Sequence, residues 1–359
     1  MRCYHGRTMA LTRRAFLRCA LGTVTAVAFA GPSAGASRAA PGVTGGWRPA
    51  YLDLEDEGLF EERVDQACAM LEHCELCPRR CGVNRLAGEV GACRSPEQVV
   101  VFSAQPHFGE ELPLVGRFGS GTIFFSNCNL RCVFCQNWPI AHEGRGDRLD
   151  DERLAELMLR VQQIGCHNIN LVTPTHVMPH ILRAVRIAAK RGLNIPLCYN
   201  TGGYDSLEAV QLLDGIVDIY LPDLKFMDSG PAERLAGAAD YPETARAAIR
   251  EMHRQVGELV TDASGIALRG LMIRHLVMPN RLAGTREFVR WVADTLPATT
   301  YVNIMSQYRV EHRAFEHPEI ARAITTQEYL EAMDWAEEAG LENLDERSLM
   351  NREVFRRRG

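Results

Sequence analysis

From residue 121 to residue 305, short unbroken apolar runs alternate with stretches whose apolar positions recur every three or four residues. The runs lie at 121–126, 168–172, 195–199, 216–221, 271–277 and 301–305. Amphipathic stretches fall at 150–163, 176–190, 206–213, 241–257 and 285–295. Strands that are apolar throughout are buried on both faces, as when helices cover both sides of a parallel sheet. The alternation therefore predicts an α/β chain. About six units are too few to close an eight-stranded barrel, so the predicted architecture is a partial, open β/α barrel over 119–345. Asp150 is placed to cap the first helix, on which Leu154, Leu157, Met158 and Val161 share a face. A further helix is predicted at 326–339. In folds of this kind chemistry sits at the C-terminal ends of the strands. Polar clusters follow four of them: Asn127–Gln136, Thr173–His176, Asn200–Tyr204 and Asp223–Lys225.

Ahead of the barrel, 58–118 is predicted as a cysteine-rich segment. It has a helix at 58–73, where Phe60, Val64, Ala67, Cys68 and Leu71 recur at helical spacing, and a strand at 98–104. Residues 37–57 begin with a Gly/Pro/Ala-rich stretch and are predicted as a linker, and 346–359 as a solvated C-terminal tail. The net charge of −5 and the lack of any long run of one sign exclude a general nucleic-acid binder.

The first 36 residues read as an address. Arg13-Arg14 followed by Phe16-Leu17-Arg18 resembles a twin-arginine signal; 19–30 is a short apolar run, and Ala34-Gly35-Ala36 a cleavage site. That run is too short for a stable membrane span. The expectation is export to the periplasm or cell exterior, and cytoplasmic residence without it. This route carries folded, cofactor-loaded proteins.

The twelve cysteines are unevenly placed: four fall within 74–93 and three within 128–135. Gaps of two or three residues let loop thiolates converge on one ion or cluster. Cys128, Cys132 and Cys135 have the spacing C-x3-C-x2-C, with Phe134 just before the third, directly after the first barrel strand. A closed four-iron cluster takes four thiolates, so three leave one iron with open coordination. Cys74, Cys77, Cys81 and Cys93 form C-x2-C-x3-C-x11-C, which completes a zinc site or a closed iron–sulfur cluster equally well, or forms disulfides if the chain is exported. His73 reads as a surface position, and His107, Glu110, Glu111 and His142 as solvated loop positions, with shaping of a pocket mouth as the alternative for these four.

The C-x3-C-x-Phe-C loop after a first strand resembles the radical S-adenosylmethionine (SAM) superfamily. Residues 74–94, 106–111, 119–137, 167–176, 199–206, 218–225 and 299–308 are similar to its pyruvate formate-lyase activating enzyme-like members. That resemblance implies a [4Fe-4S] cluster on Cys128, Cys132 and Cys135, with SAM chelating the open iron. An electron from the cluster breaks SAM to methionine and a 5′-deoxyadenosyl radical, which takes hydrogen from a substrate. By position, the resemblance implies that Phe134 lies against adenine and that Thr173, Asn200, Thr201, Gly202, Asp223 and Lys225 contact SAM. Arg274 interrupts an apolar strand. Facing inward it would pair with the methionine carboxylate; facing outward it would be an ordinary strand residue. Known glycyl-radical activases carry Pro-Tyr-His after the last strand, where this chain has Ser306-Gln307-Tyr308. The implied partners are an electron donor of flavodoxin or ferredoxin type and a protein substrate. The competing reading is a non-catalytic, exported iron–sulfur protein for electron transfer or assembly, because SAM is made in the cytoplasm.

Overall fold

The computed structural model describes residues 46–357. The predicted signal at 1–36 and the start of the predicted linker lie outside the described residues. The elements run α1 (Ala50–Asp56), α2 (Phe60–Ala69), β1 (Val99–His107), α3 (Leu112–Val115), β2 (Ser120–Phe125), α4 (Trp138–Ala141), β3 (Asp147–Leu149), α5 (Asp151–Ile164), β4 (Ile169–Val172), α6 (Met178–Lys190) and β5 (Leu197–Thr201). They continue with α7 (Leu207–Leu212), β6 (Ile219–Pro222), α8 (Ser229–Ala236), α9 (Tyr241–Val256), β7 (Val260–Thr261), β8 (Ala267–Leu276), α10 (Thr285–Thr295), β9 (Tyr301–Met305), α11 (Thr326–Glu338) and α12 (Glu346–Arg356).

The strands form one sheet in the order β3-β1-β2-β4-β5-β6-β8, with both β7 and β9 paired to β8. The run β2-β4-β5-β6-β8-β9 is parallel throughout. These are the six strands of the sequence pattern, and they make a mixed α/β fold with a non-closed, partial barrel. β1 and β7 add antiparallel pairings, β1 with β2 and β7 with β8. Asp150 caps α5, its side chain accepting from Arg153 N–H at 2.8 Å, and Leu154, Ala155, Met158 and Val161 turn inward. Burying each such leucine or valine contributes about 1.5–3 kcal/mol, which fixes the face a helix lays on the sheet. Among the described residues no helix is long and apolar enough to cross a membrane.

Two expectations are corrected. The end of the predicted linker is helix α1: Tyr51 is buried and donates to Ile195 O at 3.0 Å, and Ala50 N–H donates to Asp218 Oδ1 at 2.8 Å. The predicted C-terminal tail is helix α12. Its Ser348 is buried, accepting from Ile304 N–H at 3.0 Å, while Tyr329 of α11 donates to Ser348 O at 3.0 Å. In both cases the helix is too short or too polar to announce itself by periodicity, and it is held by side chains that reach the sheet.

Candidate active site

The three-cysteine loop leaves β2 through Asn127, whose φ of 73° is a left-handed turn that asparagine tolerates. The loop is then tied to the end of α8. Arg131 N–H donates to Ala236 O at 3.0 Å and Val133 N–H to Leu235 O at 2.8 Å. Carbonyls in the last turn of a helix lack intrahelical partners, so α8 offers fixed acceptors. Leu130 N–H points at Cys128 Sγ, 3.4 Å away. Phe134 is buried between Phe226 and Tyr308, with ring centroids at 6.0 and 6.2 Å.

Cys128, Cys132, Cys135 and Phe134 line one wall of a cavity of about 240 Å³ at the C-terminal ends of the parallel strands. The remaining predicted positions line the rest. Thr173 follows β4, Asn200 and Thr201 end β5 with Gly202 next, Asp223 and Lys225 follow β6, and Arg274 projects inward from β8. Leu276, Met305 and Gln307, none of which the sequence assigned to the cofactor, line it as well.

The strand ends are cross-braced. Thr173 holds φ 61°, an outlier for a β-branched residue, while its N–H donates to Asn200 O at 2.9 Å. Asp205 is buried and accepts from Thr175 Oγ1 at 2.6 Å, Thr201 Oγ1 at 2.6 Å and Tyr199 OH at 3.0 Å. Burial pushes its carboxyl up, against those three hydrogen bonds. A Cβ on Gly203 (φ 81°) would stand 2.2 Å from Asp223 O, so glycine is what lets the β5 and β6 ends approach. The Tyr241 hydroxyl sits between the carbonyls of Gly202 and Asp223 and accepts from Lys225 N–H at 2.9 Å.

Arg274 faces inward. Its Nε donates to Asp223 Oδ1 and its Nη2 to Asn200 Oδ1, both at 2.7 Å, and Nη1 lies 3.7 Å from Glu110 Oε2. Lys225 pairs with the other oxygen of Asp223. Burial alone would raise the Asp223 carboxyl, but Arg274 and Lys225 overcome it and hold it below its ordinary range.

Glu110 and Glu111 are a correction: both are buried, not solvated. Glu111 Oε1 accepts from Asn303 Nδ2 at 2.9 Å, and His107 Nδ1 lies 3.3 Å from Glu110 Oε1. The two acids supply the far side of the Arg274 network, and a Glu-Glu pair in a loop gave no sign of it. His142, read as a loop position, is half-buried with its ring 4.5 Å from that of His312; burial, then His312, lowers it to about 4. His73 is exposed, as expected.

In the N-terminal segment Cys74, Cys77 and Cys93 are buried and Cys81 is half-buried. All four are free thiols, so the disulfide alternative is not formed. The sequence reading missed Arg85. This buried side chain donates to His176 O at 2.5 Å, Ser95 Oγ at 3.0 Å and Pro96 O at 3.1 Å, tying the segment to the barrel.

The donor set beside the cavity fits an iron–sulfur cluster: three thiols on one loop face a space large enough for a second ligand, with cationic and anionic side chains opposite. Among the described residues no group of three or more His, Cys, Asp or Glu converges as a single metal ion requires. Burial pushes the Cys132 thiol up to about 12 and Cys135 to about 11, so iron binding there must release protons.

The model of the radical SAM superfamily matches residues 122–266. An uncharacterized protein of Methanocaldococcus jannaschii is 34% identical over 304 residues, covering 81% of this chain and 83% of its own length. Streptococcus suis SuiB, solved bound to precursor peptide SuiA, aligns with TM-score 0.41 and 13% identity, over 59% of this chain and 43% of its own. HydG, a maturase of the [FeFe]-hydrogenase, aligns with TM-score 0.42 and 11% identity, over 82% of this chain and 57% of its own. This chain thus spans about half the length of those two solved structures. It belongs to the radical SAM superfamily. Membership implies a [4Fe-4S] cluster and SAM.

Proposed function

We propose that this chain is a radical SAM enzyme whose substrate is a protein or peptide, in the manner of a glycyl-radical activase. The observation that carries the reading is convergence: three cysteines of one loop and six polar or charged side chains on or just after four strands line a single cavity. A cluster held by Cys128, Cys132 and Cys135 would supply the electron that splits SAM into methionine and a 5′-deoxyadenosyl radical. Asp223, held ionised by Arg274 and Lys225, is suited to the amino group of the cofactor, and Arg274 to its carboxylate. Asn200, Thr201, Gly202 and Thr173 offer short side chains and backbone groups to the ribose and methionine portions. Phe134 offers a ring to adenine. The unclosed sheet leaves a lateral way in, which favours a macromolecular substrate. At the mouth Gln136 Nε2 donates to Gln307 O at 3.0 Å, and Gln307 stands where known activases carry another motif. The proposed route outward is the twin-arginine pathway, and the proposed electron donor is of flavodoxin or ferredoxin type.

Anaerobically reconstituted, reduced protein given SAM is expected to release 5′-deoxyadenosine and methionine, and Cys132→Ala to abolish both. Protein that carries iron yet neither binds nor cleaves SAM would instead be the non-catalytic iron–sulfur carrier.

A further inference from the structure

Arg274 has one nitrogen to spare. Its Nε and Nη2 are taken by Asp223 and Asn200, while Nη1 makes no hydrogen bond among the described residues. Glu110 Oε2 lies 3.7 Å from that nitrogen and accepts from Asn200 Nδ2 at 3.4 Å. Glu110 therefore bears on two side chains assigned above to the cofactor, yet it reaches them from the other end of the barrel. It lies in the connection from β1 to β2, where His107 pairs with Ser120 at the N-terminal end of β2. The cysteine loop leaves the C-terminal end of the same strand. A Cβ on Gly109 would stand 2.7 Å from the His107 ring, so glycine lets the connection turn back on the imidazole, whose Nδ1 meets Glu110 Oε1 at 3.3 Å.

Two adjacent residues of α12 hold this connection. Arg347 Nη1 donates to Gly109 O at 2.6 Å and its Nη2 to Phe108 O at 3.3 Å. Ser348 Oγ donates to Asn303 Oδ1 at 3.0 Å, and Asn303 Nδ2 donates to Glu111 Oε1 at 2.9 Å. Asn303 is also the register partner of Arg274 on the neighbouring strand. The helix is already fastened without Arg347, since Asp345 N–H donates to Val302 O at 2.9 Å and Tyr329 OH to Ser348 O at 3.0 Å. Ordering a long arginine side chain on two loop carbonyls costs rotamer entropy, and what those two bonds fix is the stretch that delivers Glu110.

We infer that Glu110 and Arg347 are positioning residues for SAM: α12 fixes the connection, the connection fixes Glu110, and Glu110 holds the free Nη1 of Arg274 ready for the cofactor carboxylate. The inference rests on the function proposed above. A separation of 3.7 Å is too long for a hydrogen bond. Glu110 thus attracts the guanidinium without occupying the N–H groups that a ligand carboxylate would use. A guanidinium held in place beforehand does not lose rotamer freedom when the ligand arrives, so the gain appears as affinity.

The test reads binding rather than turnover. The full chain, reconstituted with iron and sulfide and left oxidised, is titrated by calorimetry with SAM and separately with 5′-deoxyadenosine, which lacks the amino-acid end. Arg347→Ala is expected to weaken SAM about tenfold at unchanged iron content, and to leave 5′-deoxyadenosine binding as it was. Arg347→Lys, which can still donate to a carbonyl, should recover part of that loss. Glu110→Gln should weaken SAM at least as much. Combining Glu110→Gln with Arg347→Ala should cost no more than Glu110→Gln alone, because Arg347 acts through the stretch that carries Glu110. In turnover, KM for SAM should rise in both single variants while kcat stays within about twofold. A folded Arg347→Ala that binds SAM as the unaltered chain does overturns the inference. Parallel loss of both ligands also overturns it, since that is general damage to the fold, and so do additive losses in the double variant. If Arg347→Ala does not fold by circular dichroism, Arg347→Lys takes its place in every comparison. An unaltered chain that carries iron but binds no SAM would overturn the proposed function itself, and this inference with it.

Discussion

Arg274 shows how one side chain can organise a site. Burial works against its charge, yet Asp223, Glu111 and Glu110 keep it firmly protonated. Its planar fork meets Asp223 and Asn200 at 2.7 Å, a two-pronged geometry that an ammonium cannot copy. Removing one partner of a buried ion pair leaves the others uncompensated, at a cost of about 3–5 kcal/mol. Arg274→Ala is therefore expected to destabilise the fold by that amount in urea titrations and to abolish SAM binding by calorimetry. Arg274→Lys should recover part of the stability and little of the binding. A melt of Arg274→Ala that superposes on the unaltered protein would refute the network.

At the level of elements, helix ends hold the site in place. The last carbonyls of α8 fasten the cysteine loop, and α11 begins with a capping box in which Thr325 and Glu328 satisfy each other's backbone N–H groups. Glu328 also pairs with Arg322, and that hydrogen bond, first among the causes, lowers its carboxyl to about 2. An unfolded glutamate titrates near 4.3. The contribution of Glu328 is thus present above that value and lost as pH falls through about 2. Acidifying from pH 6 to pH 2 should cost the unaltered protein on the order of 3 kcal/mol that Glu328→Gln does not lose, read from urea midpoints of both. Equal acid losses would show that the pair contributes nothing. In α12, Ser348→Ala should cost about 1–2 kcal/mol, because Ile304 N–H would be left without its buried acceptor.

On the scale of the whole molecule, the sheet buries titratable groups that record its integrity. His275 stacks on Phe288 with centroids 4.2 Å apart and bridges Leu224 O and Thr285 Oγ1. Burial lowers it to about 4. Unfolded histidine takes a proton near 6.5, so the stability of the neutral buried ring is present above that pH and lost as pH falls from 6.5 through 4. Asp218, pushed up to about 7 by burial, works in the opposite direction over the same range. The difference between the unaltered chain and His275→Phe isolates the histidine. It should be largest at pH 7.5 and shrink steadily towards pH 4.5; a constant difference would mean the ring is not held neutral.

Features set by neighbours along the chain were legible before folding. Cysteine spacing, the alternation of apolar runs and helical periods, and the Asp150 cap depend on residues a few positions apart, so they predicted six parallel strands and a thiol loop after the first. The strand ends named as cofactor positions face one cavity because period and topology place them there. What needed the folded molecule were contacts between distant residues. Glu111 meets Asn303 across 192 positions, Arg85 is buried against His176, and α1 and α12 are fastened by Asp218, Tyr329 and the β9 backbone. The inward turn of Arg274 belongs to the same kind. A charged side chain or a thiol has no periodicity of its own. Whether it is solvated or buried is decided by the partners that packing brings within hydrogen-bond reach.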